Sequence, residues 1–117
     1  MSSSTAYNTL DKTPNEDVTF GMPFSPKMAA GDSLVNAGTV TQPIVLNGVD
    51  TGIATTDLTF AGPVITPNMP YANPPGPGVS VRISGGLSGT VYMLHFKGVI
   101  TNFGDTLESE GMLNLTY

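Results

Sequence analysis

The chain has 117 residues with no cysteine and no tryptophan, and its four fixed cations (Lys12, Lys27, Arg82 and Lys97) stand against nine carboxylates for a formal charge of −5. That length fits one domain with an ordinary core. The lack of clustered cations argues against a nucleic-acid partner, and the absence of cysteine removes disulfide frameworks, thiolate metal sites and cysteine nucleophiles together. Charged residues make up only 11% while glycine and proline number 14 and 10, a balance that suits many short strands joined by tight turns.

Residues 1–16 are polar, rich in Ser, Thr and Asn, and cannot make a core alone, so they are expected to be a flexible N-terminal arm ahead of a domain over residues 17–117. The arm lacks the basic start and apolar run of a signal peptide, and no stretch reaches membrane-spanning length; a protein made in the cytoplasm with no membrane partner is expected. The first strand is predicted from Asp17, where Val18, Phe20, Met22 and Phe24 alternate with Asp17, Thr19, Gly21 and Pro23, and Pro23 and Pro26 mark its end or an edge position. Met28-Ala29-Ala30 before Gly31 predicts one helical turn stopped by glycine.

Further strands are predicted over residues 33–41, 44–49 and 52–60, with Asn47-Gly48 and Asp50-Thr51-Gly52 as turn formers. Six prolines between Gly62 and Gly78 remove too many amide donors for a central strand, which predicts a rigid, partly polyproline surface loop carrying Met69 and Tyr71. Residues 79–101 predict a β-hairpin about the glycine turn Ser84-Gly85-Gly86-Leu87-Ser88-Gly89, with Tyr92, Leu94, Phe96 and Ile100 on one face. After a turn at Asn102-Phe103-Gly104-Asp105, a last strand carries Leu113, Leu115 and Tyr117 on one face. About seven strands at this spacing predict an immunoglobulin-like or related antiparallel β-sandwich.

Candidate chemistry is sparse. The glycine turn joins strands and carries no lysine, unlike a phosphate-cradling loop. His95 is the one histidine, so no second imidazole shares a metal with it. Asp57, Asp105, Glu108 and Glu110 are candidate acid pairs, but Glu108 and Glu110 alternate onto one strand face and more simply solvate it. Asp11, Asp32, Asp50 and Asp57 lack the ordered spacing of a calcium loop. No catalytic residue, metal ligand or cofactor site is therefore expected. Val91, Met93, His95, Lys97 and Val99 share a face more apolar than a solvated one needs to be, which makes Val91, Met93, His95 and Val99, with Tyr7, Met69 and Tyr71, the candidate contacts for other proteins.

Three segments in order resemble the small immunoglobulin-like fibre-tail adaptor or neck proteins of tailed bacteriophages. They are Asp17-Val18-Thr19-Phe20 through Gly31-Asp32-Ser33-Leu34, then residues 81–92 with the Gly-Gly-x-x-Gly turn, then residues 98–108 with Thr101-Asn102-Phe103-Gly104. The resemblance does not extend over residues 44–78, and the chain lacks the tryptophans such proteins place in their opening strands. It implies an immunoglobulin-like β-sandwich with an extended arm. It also implies a virion structural protein at the neck or tail, present as a ring or fibre mount, contacting identical copies and connector, tail or fibre proteins. A capsid decoration protein and a carbohydrate-binding surface module are the alternatives.

Overall fold

Alternation of apolar and polar residues at period two is the dominant local signal in this sequence, and the backbone follows it into strands. The structure, a computed structural model, describes residues 9–42, 44–46, 49–50, 57–70, 72 and 74–116, with backbone alone for residues 44–46 and 49–50. Its strands are β1 (Thr9–Lys12), β2 (Val18–Pro23), β3 (Leu34–Asn36), β4 (Thr39–Thr41), β5 (Ile44–Leu46), β6 (Val49–Asp50), β7 (Leu58–Met69), β8 (Gly76–Gly85), β9 (Val91–Thr101) and β10 (Thr106–Leu115). The chain is an all-β sandwich. One sheet runs β1-β10-β9-β5-β6, with β3 and β4 also paired to β9, and the other runs β2-β8-β7.

The inward residues of both sheets close one core. Phe20, Met22 and Phe24 from the β2 region meet Val79, Val81 and Ile83 of β8 on one side and Tyr92, Leu94 and Phe96 of β9 with Leu113 and Leu115 of β10 on the other, all 3% exposed or less. Phe20 and Phe96 stack across the sandwich with ring centroids 5.9 Å apart. Each such buried side chain contributes about 1.5–3 kcal/mol relative to exposure, so the core is the main source of stability.

Residues 79–101 alternate as expected, yet they do not form a hairpin. β8 pairs with β2 and β7, whereas β9 pairs with β10, β3, β4 and β5, so the glycine turn is an arch from one sheet to the other. Gly86 makes the arch possible. It sits at φ +103, and a Cβ there would lie 2.9 Å from side-chain carbons of Leu58 and Leu115.

The proline-rich segment is also corrected. β7 runs through Pro63 and Pro67 and β8 begins at Gly76, which leaves only residues 70–75 between them. Proline fits because β7 is an edge strand, and its ladder with β8 slips at Ala61/Val64 and Thr66/Met69, around the positions that lack an amide. The Ser25 hydroxyl donates to the Pro74 carbonyl at 2.6 Å and fastens the connection.

Three smaller expectations shift. The helical turn is a 3-10 turn at Ser25–Lys27, with Pro26 inside it, and Ala29 to Asp32 form a separate hydrogen-bonded turn. The strand expected over residues 33–41 is two strands, β3 and β4, which with β5 run end to end along β9. Residues 9–12, placed in the arm by composition, form β1, paired in parallel with β10.

The last correction alters a face. β9 carries one residue more than β10 between Phe96 and Val99, and Gly98 takes φ +69 to accommodate it. The bulge resets the alternation, so Val99 and Thr101 turn inward, while Ile100 is only partly buried and lies outside the core.

Candidate interaction surfaces

The outer face of the larger sheet is set by the pairing register. Val91, Met93, His95 and Lys97 of β9 lie beside Asn114, Met112 and Glu110 of β10, with Thr39 and Thr41 of β4 and Thr9 and Asp11 of β1 on either side. Val91, Met93 and Met112 are half-buried and form a short apolar strip; His95 Nε2 lies 3.5 Å from Glu110 Oε2. Val91, Met93, His95 and Lys97 share this outer face, as the alternation predicts. Val99 is removed from it, being 0% exposed in the core because of the bulge at Gly98.

Met69 is likewise no surface anchor. Its side chain is 2% exposed and packs where a Cβ on Gly78 would have to go. Tyr7 and Tyr71 lie outside the described residues.

The two ends of the sandwich carry features that sequence reasoning missed. At one end Asp32 accepts the backbone N–H groups of Ser33 (2.8 Å) and Phe103 (3.1 Å) through Oδ1, tying the turn after Ala30 to the β9–β10 turn. Its Oδ2 is buried without a donor. Phe103, held by that contact, is 60% exposed, and Val35 on neighbouring β3 is 56% exposed.

At the other end, the length of β9 away, the Tyr92 hydroxyl donates to Asp57 Oδ2 at 2.8 Å and accepts the Leu87 N–H at 3.0 Å. Burial raises the phenol above its ordinary pKa, and the neighbouring carboxylate adds to the effect. Beside this strut Lys12 is 1% exposed, its ammonium donating to the carbonyls of Thr13 (2.8 Å) and Gly85 (2.6 Å). Burial lowers its pKa, opposed by the charges of Asp17 and Glu16. Two residues downstream of Leu10 on the inward face of a strand, Lys12 had a period-two signal that could have revealed it, but a lysine reads as solvent-facing by default.

The other carboxylates with described side chains lie in local contacts or in solvent. Glu16 Oε1 accepts the Thr13 N–H at 2.7 Å, and that bond holds its carboxyl below the ordinary range. Asp17 lies 3.8 Å from Arg82. Asp105 belongs to the β9–β10 turn, and Glu108 and Glu110 project from β10 into solvent. Asp11 accepts from Asn114 Nδ2 at 3.0 Å. Among the described residues no group of three or more His, Asp or Glu side chains is placed to hold a metal, and no helix is long and apolar enough to cross a membrane.

Comparison with protein-family models, with curated proteins and with solved structures finds no match to this chain.

Proposed function

We propose that this chain is a non-enzymatic structural component of a tailed-bacteriophage particle. It stands in several copies at the neck or tail, as a ring or adaptor between connector, tail and fibre proteins. The observation that carries the reading is the Asp32 knot: two of the three segments that resemble the adaptor family, residues 17–34 and 98–108, meet in space through Asp32 Oδ1 and the Ser33 and Phe103 amides. The middle segment, with its Gly-Gly-x-x-Gly turn, forms the arch at the opposite end.

The immunoglobulin-like assignment belongs to the same proposal. It is supported by the strand order β2-β8-β7 against β10-β9 with β3 to β5, the arrangement in which the second, fifth and fourth strands of such a fold face its seventh, sixth and third. The parallel pairing of the first described strand with the last adds to it.

On this reading the protein works by contact, and the surfaces available are the strip of Val91, Met93 and His95 and the exposed Phe103 and Val35. A cryo-electron microscopy reconstruction of the native particle, without imposed tail symmetry, tests it. A ring of copies at the neck or tail supports the proposal; copies spread over the shell replace it with capsid decoration, and absence from the particle refutes it.

A further inference from the structure

β1 is held to the sandwich by its ladder and a buried charge more than by apolar packing. None of its residues belongs to the fully buried apolar cluster; Leu10 is partly buried against that cluster, and the inward residue at the end of the strand is the charged Lys12. Removing β1 therefore leaves the packed core of β2 and β7 to β10 in place. Its described hydrogen bonds lie along residues 112–116: the parallel ladder from Thr9↔Met112 to Lys12↔Leu115, Asn114 Nδ2 to Asp11, and the Thr116 N–H to the Lys12 carbonyl at 2.8 Å. The Lys12 ammonium adds a clasp to Gly85, at the end of β8 in the opposite sheet.

Departure of β1 would bare the backbone donors and acceptors of residues 112–115, an edge that strongly favours recapture of a strand. The segment between β1 and β2 is residues 13–17, closed by the Glu16 N–H to the Thr13 carbonyl (3.1 Å) and the Thr13 N–H to Glu16 Oε1 (2.7 Å). Opening those two bonds lets the strand swing out. A second copy offers the same ladder, the same Asn114 and the same Gly85 carbonyl, so every contact is recovered across the boundary. Where copies are held side by side, the effective concentration of a neighbour's β1 reaches the millimolar range for short linkers.

We propose that β1 is an exchangeable strand: in the assembled protein, residues 112–115 of one chain pair with Thr9–Lys12 of a second copy, and Lys12 clasps Gly85 of the chain it enters. This rests on the multi-copy reading above. It names the contact that links the copies and makes the buried lysine its lock.

The test uses the full chain, which contains no cysteine. Two single variants, Asp11→Cys and Asn114→Cys, one of them isotopically labelled, are mixed at high concentration and oxidised, so that a D11C–N114C disulfide forms only between chains. Exchange predicts a mixed, labelled–unlabelled species of about twice 12.1 kDa as the main product. It also predicts that hydrogen-exchange protection of residues 9–12 in the unaltered protein rises about tenfold or more from micromolar to millimolar concentration.

If the mixed single variants give no labelled–unlabelled D11C–N114C disulfide while the unaltered protein sediments as an oligomer, the exchange is refuted and the multi-copy reading stands. If the unaltered protein is also a monomer and its protection does not change with concentration, both fall. Should the cysteine variants fail to fold, the concentration dependence of protection decides alone.

Discussion

Val99 tests the bulge at Gly98, because the two possible alternations of β9 assign opposite costs to neighbouring residues. Val99 is 0% exposed, so Val99→Ala removes two methyl groups from the core, a loss of about 1.6 kcal/mol at roughly 0.8 kcal/mol per buried carbon. An unrelaxed space of about 40 Å³ adds about 1 kcal/mol, for a total near 2.5 kcal/mol. Ile100→Ala, at a partly buried position outside the core, should cost about 1 kcal/mol although it deletes more atoms. Urea unfolding followed by far-ultraviolet circular dichroism measures both, since the chain has no tryptophan. With a slope of about 1.5 kcal/mol/M, Val99→Ala should lower the midpoint by roughly 1.7 M. An Ile100→Ala variant less stable than Val99→Ala would refute the inward turn of Val99.

Gly86→Ala should cost about 3 kcal/mol, combining left-handed strain with the 2.9 Å approach to Leu58 and Leu115, whereas Gly31→Ala, at φ +80 with open space, should cost about 1 kcal/mol; calorimetric melting separates them. Asp32→Ala deprives two backbone N–H groups of their acceptor and should destabilise by about 1–2 kcal/mol, while Asp32→Asn keeps the Oδ1 acceptor for both, so chemical denaturation should find it more stable than Asp32→Ala. Burial lowers the Lys12 pKa below 10.5, so between the folded and unfolded values the unfolded chain binds more protons and the Lys12 contribution to stability rises with pH. The stability of the parent minus that of Lys12→Met, followed from pH 8 toward 10.5, should therefore increase; a flat or falling difference would sink the assignment of a desolvated ammonium.

Strand character was legible almost throughout, because apolar alternation reports half-burial directly, and Phe20, Met22, Phe24, Tyr92, Leu94, Phe96, Leu113 and Leu115 all lie where period two places them. Pairing was not. Two consecutive strands joined by a glycine turn look the same whether the turn folds them side by side or carries the chain about 10 Å to a facing sheet, and only the partners of β8 and β9 decide between them. Proline misled for a related reason: its missing donor excludes a central strand but not an edge, and sequence does not reveal which strand of a sheet is outermost. The outer face of β9 was legible up to the one residue where Gly98 inserts a bulge. The clusters around Asp32 and around Tyr92, Asp57 and Lys12 were hidden because their members lie as much as 80 positions apart in the chain and carry no shared local pattern.

The two prolines in β7 also limit how copies can meet. An outermost strand with regular amides invites another strand, then another, and growth of that kind ends in fibrils. Pro63 and Pro67 have no amide hydrogen to offer, and the ladder slips on either side of Thr66, so this border offers no continuous row of donors to an incoming chain. Regular strand addition is thus blocked along the β7 border of the β2-β8-β7 sheet.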